Sequence, residues 1–179
     1  MKIVGIIPAR KGSKRLLNKN LLTVPDGRSF VKKAIDTLEA SKKINSVWVA
    51  TDYDADRIGY HNIIRRPDFL NSDAASVVDV VEFSLQLFHD VTHCVVLFPT
   101  NPLISTLQVD MAIENLLERN NSILRSYDYL QRENGLYIFD IERVKANKNR
   151  LYDTHTGMVT LPGIEIHTQK EYEIYRSKV

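Results

Sequence analysis

A cluster of basic residues near the N-terminus has the composition of an anion-binding loop. Five cationic side chains fall within ten residues, with no acidic residue among them: Arg10, Lys11, Lys14, Arg15 and Lys19. Gly12 and Ser13 interrupt the cluster, and the apolar residues 3–7 before it have the length and β-branched content of a buried parallel strand. A strand that leads into such a loop can turn several backbone N–H groups toward one anion, whose charge the Lys and Arg side chains neutralise. The loop therefore predicts a site for phosphate groups, such as those of a triphosphate.

Two other interpretations of the basic loop stay open at this stage, a solvated surface loop and a nucleic-acid-binding patch. The formal net charge of the chain is only +2, and no aromatic residue lies between Arg10 and Lys19, which counts against nucleic acid. The spacing also excludes two common nucleotide motifs, because neither a Walker A loop nor a G-x-G-x-x-G dinucleotide motif is present. We therefore expect small-molecule partners.

Length and composition fit one compact globular domain. The chain has 179 residues, of which 44% are hydrophobic and 26% charged. The single cysteine, Cys94, cannot form an internal disulfide and lies in an apolar run, so it predicts a buried side chain and a reducing compartment. The apolar run before Pro8 is too short for a signal-peptide core or a membrane span. We expect a cytoplasmic protein with no membrane partner.

Alternating strand and helix patterns predict an α/β fold across residues 1–179. Besides residues 3–7, apolar runs predict strands at residues 47–51, 63–64, 94–98, 135–139 and 161–167. Helical spacing of apolar residues predicts helices at residues 29–41, 54–60, 76–88, 106–120, 141–146 and 169–177. This alternation is typical of a three-layer, Rossmann-like fold with a mainly parallel sheet, in which ligands bind beyond the carboxyl ends of the strands. The basic loop, Asp52 and residues 99–102 each follow a predicted strand and should meet there.

Five segments, in order along nearly the whole chain, resemble the acylneuraminate cytidylyltransferase family, which contains the CMP-sialic acid synthetases. The segments are I-I-P-A-R-K-G-S-K (residues 6–14) followed by K-N (19–20), V-A-T-D (49–52), R-R-P-D-F-L-N-S-D-A-A-S (65–76), F-P-T-N-P-L (98–103) and E-N-G-L-Y-I (133–138). The order of all five segments, more than any one of them, makes the resemblance specific.

The resemblance implies a nucleotidyltransferase fold and a specific reaction. CMP would be transferred from CTP to the anomeric hydroxyl of an acidic sugar, a sialic acid or a related nonulosonic or octulosonic acid, and pyrophosphate would be released. Mg²⁺ or Mn²⁺ is the implied cofactor, and a homodimer is the implied assembly. Transfer of this kind depends mostly on positioning and charge stabilisation, so no nucleophilic Ser-His-Asp set is required.

The resemblance also assigns roles to individual residues. It implies that eight residues bind the nucleotide: Arg10, Gly12, Ser13, Lys19, Asn20, Arg66, Asp73 and Ser76. Arg10 and Lys19 are the implied catalytic residues, because they would stabilise the charge of the phosphate groups. Three residues are implied to bind the acceptor: Thr100, Asn101 and Asn134. Other roles are open for some of these residues, since Arg66 also suits a surface turn, and Asp73 and Ser76 also suit helix caps.

The chain departs from the family pattern where the acceptor would bind. Phe98 stands where the family usually has a Gln that touches the sugar, and Ile104 stands where an Arg is common. The segment around residues 122–133 is shorter than in the family, where it holds much of the sugar pocket and the oligomer contacts. One interpretation is a small or different acceptor, or an acceptor site that another chain completes. The other interpretation is a catalytically degenerate nucleotide-binding or regulatory protein of the same fold.

The predicted metal site departs from the family as well. The family's I-D-I-D, whose carboxylates bind Mg²⁺, is replaced by I-E-I-H at residues 164–167. In the predicted strand 161–167, Glu165 and His167 are two residues apart and face the same side, so they are the candidate ligands. Glu165 offers a hard oxygen, whereas His167 suits zinc or manganese better than magnesium. Glu171 would add a second carboxylate if the last helix begins at Gln169.

Overall fold

A mixed sheet with helices on both faces forms the core of the protein. The computed structural model describes residues 1–72, 74–146, 156–163 and 165–178. The strands of this part of the chain are β1 (Ile3–Ala9), β2 (Ser46–Thr51), β3 (Ile63–Arg65), β4 (His93–Leu97), β5 (Ile123–Tyr127), β6 (Glu133–Asp140) and β7 (Thr156–Thr160). They form one seven-stranded sheet in the order β3-β2-β1-β4-β6-β5-β7, in which only β6 runs antiparallel to its neighbours. The predicted three-layer, mainly parallel α/β fold is confirmed.

The predicted helices are all found, with ends shifted by a few residues. They are α1 (Phe30–Glu39), α2 (Ala55–Ile58), α3 (Val77–Leu85), α4 (Thr106–Glu118), α5 (Ile141–Ala146) and α6 (Gln169–Lys178). Single 3-10 turns occupy Lys19–Leu21 and Asp68–Leu70. Ser29 is the N-cap of α1, because its side chain accepts a hydrogen bond from the Lys32 backbone N–H at 3.2 Å.

The central strand β1 is apolar on both faces because both faces are covered. Ile3 and Ile7 pack in one core cluster with α1 and α4, whereas Val4 and Ile6 pack in a second cluster with α3. All four side chains are fully buried. Each burial contributes about 1.5–3 kcal/mol from apolar area alone, so this short run holds the two helical layers against the sheet.

The strand predictions were wrong at the C-terminal edge of the sheet. Residues 161–163 and 165–167 form no regular secondary structure, and the last strand is β7, which lies just before them. Within the described part of the chain, β7 is an edge strand that pairs with β5 alone. Because side chains such as Met158 are exposed there, the sequence of β7 contains no continuous apolar run. The pattern analysis also missed β5, because Arg125 and Ser126 interrupt its apolar residues.

Cys94 is the second residue of β4 and is fully buried, as its apolar surroundings predicted. Burial raises the pKa of its thiol, so the group is held as a neutral, inert side chain. None of the helices in the described ranges combines the length and the apolar character that crossing a membrane requires.

Candidate active site

The carboxyl ends of the parallel strands open onto a cavity beside the basic loop. Residues that follow β1, β3 and β4 line it, together with the first turn of α3. Six residues that the resemblance assigned to nucleotide or acceptor binding line this cavity: Arg10, Lys19, Asn20, Arg66, Ser76 and Thr100. The fold therefore brings three distant segments together at the edge of the sheet where ligands bind in open α/β sheets.

Arg10 is held at the carboxyl end of β1 by hydrogen bonds to both polar groups of the peptide unit that joins it to Lys11. Its carbonyl accepts a hydrogen bond from the buried Asn20 Nδ2 at 2.9 Å, and the next backbone N–H, of Lys11, donates to Asp52 Oδ1 at 2.6 Å. The Arg10 Nη1 donates to the Asn71 carbonyl at 3.3 Å. Asn20 thus fixes the backbone of the basic loop, and Asp52 connects the end of β2 to the basic loop.

Lys19 lies in a 3-10 turn where positive charge is concentrated. Burial lowers the pKa of its ammonium group, the negative charge of Glu165 opposes this shift, and the nearby Arg15 and Arg10 lower the pKa further. The clustered cations destabilise one another in the free protein. An anionic ligand would relieve that repulsion, so the site is electrostatically prepared for phosphate groups.

Arg66 is buried beneath the cavity, which rules out the surface-turn interpretation. Only 6% of the residue is exposed, and a guanidinium nitrogen donates to the Leu70 carbonyl. Burial lowers the pKa of the guanidinium, Asp52 opposes the shift and Arg10 adds to it. The buried Nε makes no hydrogen bond to the described residues. A buried donor without a partner costs about 1–3 kcal/mol, and a bound ligand could recover this cost.

Ser76 caps helix α3 as well as lining the cavity. Its hydroxyl accepts from the Asp79 backbone N–H at 3.2 Å, while the Asp79 carboxylate accepts from the Ser76 N–H at 2.7 Å, which completes a capping box. The cap positions the first turn of α3 against the cavity. The other predicted cap, Asp73, lies outside the described residues.

Replacing Ser76 by alanine separates these two roles. We expect Ser76→Ala to lower the free energy of unfolding by about 1 kcal/mol, because one N–H group of α3 loses its acceptor. Ser105→Ala is the matched control, since Ser105 and Gln108 form the same capping box at α4 away from the cavity. Urea unfolding should show similar losses for both variants. A weaker affinity for CTP in Ser76→Ala alone would identify a ligand contact, and equal affinities would limit Ser76 to capping.

Gly12 and Ser13 do not line the cavity. Gly12 is exposed, and the Ser13 N–H donates to the Lys11 carbonyl at 2.9 Å in a tight turn of the loop. A Cβ built on Gly12 would meet no atom within 4 Å. In this conformation the two residues shape the rim of the basic loop, so their predicted role in nucleotide binding stays a prediction.

Of the three predicted acceptor residues, only Thr100 reaches the cavity. Asn101 donates to the Asn134 carbonyl at 2.9 Å, and Asn134 donates to the Leu161 carbonyl at 3.1 Å and accepts from the Ser126 hydroxyl. Both asparagines are buried, with 2% and 0% of the residue exposed. Their amides join the loop after β4, the start of β6 and the chain after β7, which is an architectural role.

Glu165 and His167 converge although no strand connects them. His167 Nε2 lies 3.0 Å from Glu165 Oε2, and Glu165 Oε1 accepts a hydrogen bond from the Thr100 hydroxyl at 3.3 Å. The Ile166 N–H donates to the Thr100 carbonyl at 2.8 Å and fixes the segment beside the cavity. The predicted pairing on one face of a strand is wrong, and the proximity instead follows from this loop-to-loop hydrogen bond.

The predicted second carboxylate, Glu171, is used for helix capping. Helix α6 does begin at Gln169, but Glu171 Oε2 accepts the backbone N–H groups of His167 and Thr168 at 2.8 and 2.9 Å. Burial by itself would raise the pKa of Glu171. The hydrogen bonds from His167 and Thr168 outweigh burial, so the pKa is lowered overall. Among the described residues no three His, Cys, Asp or Glu side chains converge on one point. Glu165 and His167 thus bring one carboxylate and one imidazole together, and their predicted role in metal binding stays a prediction.

Gly135 provides the space in which the Glu165 carboxylate lies. Its φ of +84° favours glycine, and a Cβ built there would lie 2.6 Å from Glu165 Oε1 and 2.9 Å from Phe98 Cβ. The backbone conformation and the close approach of two side chains both require glycine at this position.

We expect Gly135→Ala to destabilise the protein by about 3 kcal/mol or more, the sum of backbone strain and steric overlap. Gly27→Ala is the matched control, because Gly27 has a φ of +87° and open space around it. That variant should lose about 1–2 kcal/mol. Thermal unfolding of both variants measures the difference, and equal losses would show that the Glu165 contact carries no cost.

A polar cluster beside the cavity was missed by the sequence analysis. Arg125, Glu133 and Tyr137 are joined by hydrogen bonds, and the Tyr137 ring lies 5.6 Å from the ring of the cavity residue Phe98. The only sequence signal was an arginine inside the apolar run of β5. Ile104, which replaces a common family arginine, is buried in the core.

Comparisons with known proteins show which family the chain resembles in sequence. A family model described as cytidylyltransferase matches residues 4–177. The N-acylneuraminate cytidylyltransferase of Escherichia coli is 29% identical over 169 residues, which are 86% of this chain and 40% of that protein. The pseudaminic acid cytidylyltransferase of Campylobacter jejuni is 26% identical over 171 residues, which are 84% of this chain and 73% of that protein.

The fold is shared with a solved nucleotide-sugar synthetase. CMP:2-keto-3-deoxy-manno-octonic acid synthetase, complexed with CTP, gives a TM-score of 0.79 over 99% of this chain and 98% of that chain, at 15% sequence identity. The chain spans about 40% of the length of its Escherichia coli relative. Since the family model covers nearly every residue, the chain belongs to the cytidylyltransferase family of nucleotidyltransferases, as its five sequence segments predicted.

Proposed function

We propose that this protein transfers the cytidylyl group of CTP to a hydroxyl of an acidic sugar and releases pyrophosphate. The observation that carries the proposal is the cavity at the carboxyl ends of the parallel strands, where Arg10, Lys19 and Arg66 converge in a chain of the cytidylyltransferase family. Three cations around one cavity suit a triphosphate and would repel one another without it.

In the proposed reaction the sugar hydroxyl attacks the α-phosphorus of CTP in line with the departing pyrophosphate. A new P–O bond forms to the sugar, the bond to the β-phosphate oxygen breaks, and the hydroxyl proton passes to solvent or to a nearby base. Arg10 and Lys19 stabilise the negative charge that builds up on the phosphate oxygens. Arg66 supplies a buried N–H donor to the nucleotide. Asn20 and Asp52 keep the basic loop in place during the reaction.

An acidic sugar is proposed as acceptor because the relatives identified above are named for sialic and pseudaminic acid. Phe98, Ile104 and the shortened segment around residues 122–133 suggest an acceptor that differs from those of the family pattern. Asn101 and Asn134 would hold the acceptor side of the cavity in shape, and Thr100 would lie next to the reacting groups.

A divalent cation, Mg²⁺ or Mn²⁺, fits the donor set that Glu165 and His167 provide. When bound, such an ion supplies charge neutralisation on the triphosphate. Thr100 orients the Glu165 carboxylate, and the Ile166–Thr100 backbone bond keeps the segment beside the cavity. The homodimer and the cytoplasmic location implied by the family resemblance stay predictions.

Pyrophosphate release tests the proposed function. CTP, UTP, ATP and GTP are each assayed with Mg²⁺ or Mn²⁺ against sialic, pseudaminic and octulosonic acids. We expect release that requires CTP and one acidic sugar, and we expect Arg10→Ala to reduce it about 100-fold or more. Arg119→Ala, at the exposed end of α4, is the matched control. Release without a sugar requirement, or equal release from Arg10→Ala, would contradict the proposal.

A second candidate function, nucleotide binding without transfer, is favoured by one observation. The position of the common family arginine is occupied by Ile104, which is buried in the core and cannot contact a sugar. CTP binding that depends on Arg10, combined with no release from any sugar, would support this candidate.

A further inference from the structure

A buried arginine interrupts strand β5 on the face that carries the α3 core cluster. Arg125 follows Ile123 by two positions, so the two side chains share a face of the sheet, and Ile123 belongs to that cluster. The Arg125 side chain is 4% exposed, and its Nη1 donates to Glu133 Oε1 at 2.7 Å. An ion is thus placed where an apolar side chain would pack well.

Glu133 is the exposed end of this ion pair. Its side chain is 40% exposed, although three partners hold it: Arg125 at 2.7 Å, the Tyr137 hydroxyl at 2.8 Å and the Tyr127 hydroxyl at 3.4 Å. A carboxylate offers about four acceptor positions, and the Tyr127 contact is long. The carboxylate is therefore fixed in orientation and still able to accept hydrogen bonds from a ligand.

Tyr137 connects the Glu133 carboxylate to the candidate active site. Tyr137, its hydrogen-bond partner, packs its ring 5.6 Å from that of Phe98, which lines the cavity. Burial is the main cause of the raised pKa of Tyr137. The hydrogen bond to Glu133 and the negative charge of Glu165 raise this pKa further. The Phe98 backbone N–H donates a hydrogen bond at 2.8 Å to the carbonyl of Gly135, which lies between Glu133 and Tyr137 in β6. The antiparallel pairing of β4 and β6 therefore places the start of β6 beside Phe98 at the end of β4.

A role in stability alone does not account for the cluster. Burying an ion pair costs desolvation energy that its attraction barely offsets, and apolar replacements are often neutral or stabilising. A buried pair that ends in a half-exposed, immobilised carboxylate has the properties of a prepared binding group.

We propose that Glu133 binds hydroxyl groups of the acceptor sugar, with Arg125 and Tyr137 as positioning residues that fix its carboxylate. This inference rests on the proposed function. The cations of the cavity bind the nucleotide on the side of β1 and β3, so the acceptor occupies the side of β5 and β6. A carboxylate there accepts hydrogen bonds from a polyhydroxylated ligand and disfavours additional anionic groups.

The test is the acceptor KM of Glu133→Gln, measured with the sugar that supports the highest pyrophosphate release by the wild type. We expect this KM to rise about tenfold or more, with the affinity for CTP within twofold of the wild type. Tyr137→Phe, which keeps all charges, should raise the acceptor KM by a smaller factor. Glu118→Gln, at the exposed end of α4, is the matched control.

Thermal unfolding shows whether Glu133→Gln is folded. If Glu133→Gln is not folded, the acceptor KM of Tyr137→Phe is the test. An acceptor KM within twofold of the wild type in both folded variants overturns this inference alone. So does an equal loss of affinity for CTP and for the sugar. Absence of sugar-dependent release in the wild type overturns the proposed function and this inference together.

Discussion

Replacing Lys19 by methionine should lower kcat/KM for CTP by about 100- to 1000-fold. The ammonium group lies in a half-buried position near Arg10, Arg15 and Glu165, and burial already lowers its pKa. In such a site, screening by water is weak, so the loss of one positive charge is felt strongly by the phosphate groups. Methionine has a similar length and fills the same space, which limits the change to the charge.

Three measurements separate charge from structure in this experiment. Thermal unfolding of Lys19→Met should match the wild type or rise slightly, because removal of Lys19 relieves repulsion from Arg10 and Arg15. Lys42→Met, an exposed lysine after α1, is the matched control and should leave kcat/KM unchanged. Lys19→Arg should recover part of the activity. A Lys19→Met variant with near wild-type kcat/KM would refute the phosphate-binding role of this residue.

Replacing Glu165 by glutamine should lower kcat by about 100-fold or more and weaken Mn²⁺ binding in the presence of CTP. The Glu165 carboxylate lies 3.0 Å from the His167 imidazole, whereas Glu171 accepts only the backbone N–H of His167 among that residue's groups. If the pair holds a divalent ion, removal of the Glu165 charge would leave an imidazole as its protein ligand. Glu173→Gln, exposed on α6, is the matched control.

His167→Asp tests the second half of the same pair. An aspartate would restore two hard oxygen donors, so we expect the ratio of activity with Mg²⁺ to activity with Mn²⁺ to rise several-fold. Electron paramagnetic resonance of Mn²⁺ reads ion binding directly, without turnover. If Glu165→Gln binds Mn²⁺ as the wild type does, the Glu165–His167 pair is a structural contact and the ion is held elsewhere.

Local patterns predicted most elements and the position of the basic loop at the end of the first strand. Apolar runs such as residues 3–7 and 94–98 became central strands because both faces of the sheet are covered. Capping was one of the two roles open for Ser76, and Ser76 does cap α3. These features can be predicted from the sequence because each depends on neighbouring residues. A helix cap binds a backbone N–H group two or three positions further along, and a buried strand is a continuous apolar run.

Edge strands and interrupted strands were not readable. β7 has one neighbour and exposed side chains, so a strand prediction was placed too late, at residues 161–167. β5 carries Arg125, whose burial depends on Glu133 from the next strand. In both cases the stabilising contacts come from a neighbouring strand, β6 for Arg125 and β5 for β7, and the sequence pattern of the strand itself contains no record of them.

The sequence alone determined the parallel core and the concentration of positive charge in the loop after the first strand, because these follow from composition and local order. The family followed from the resemblance of five sequence segments. Only the tertiary structure decided which polar residues face the cavity. Arg66 is buried, and its Nε has no hydrogen-bond partner among the described residues. The side-chain amides of Asn101 and Asn134 form buried hydrogen bonds. His167 lies beside Glu165 although the two residues are not in a strand. The physical reason is that burial and hydrogen-bond partners are set by packing between distant segments, which local periodicity does not specify.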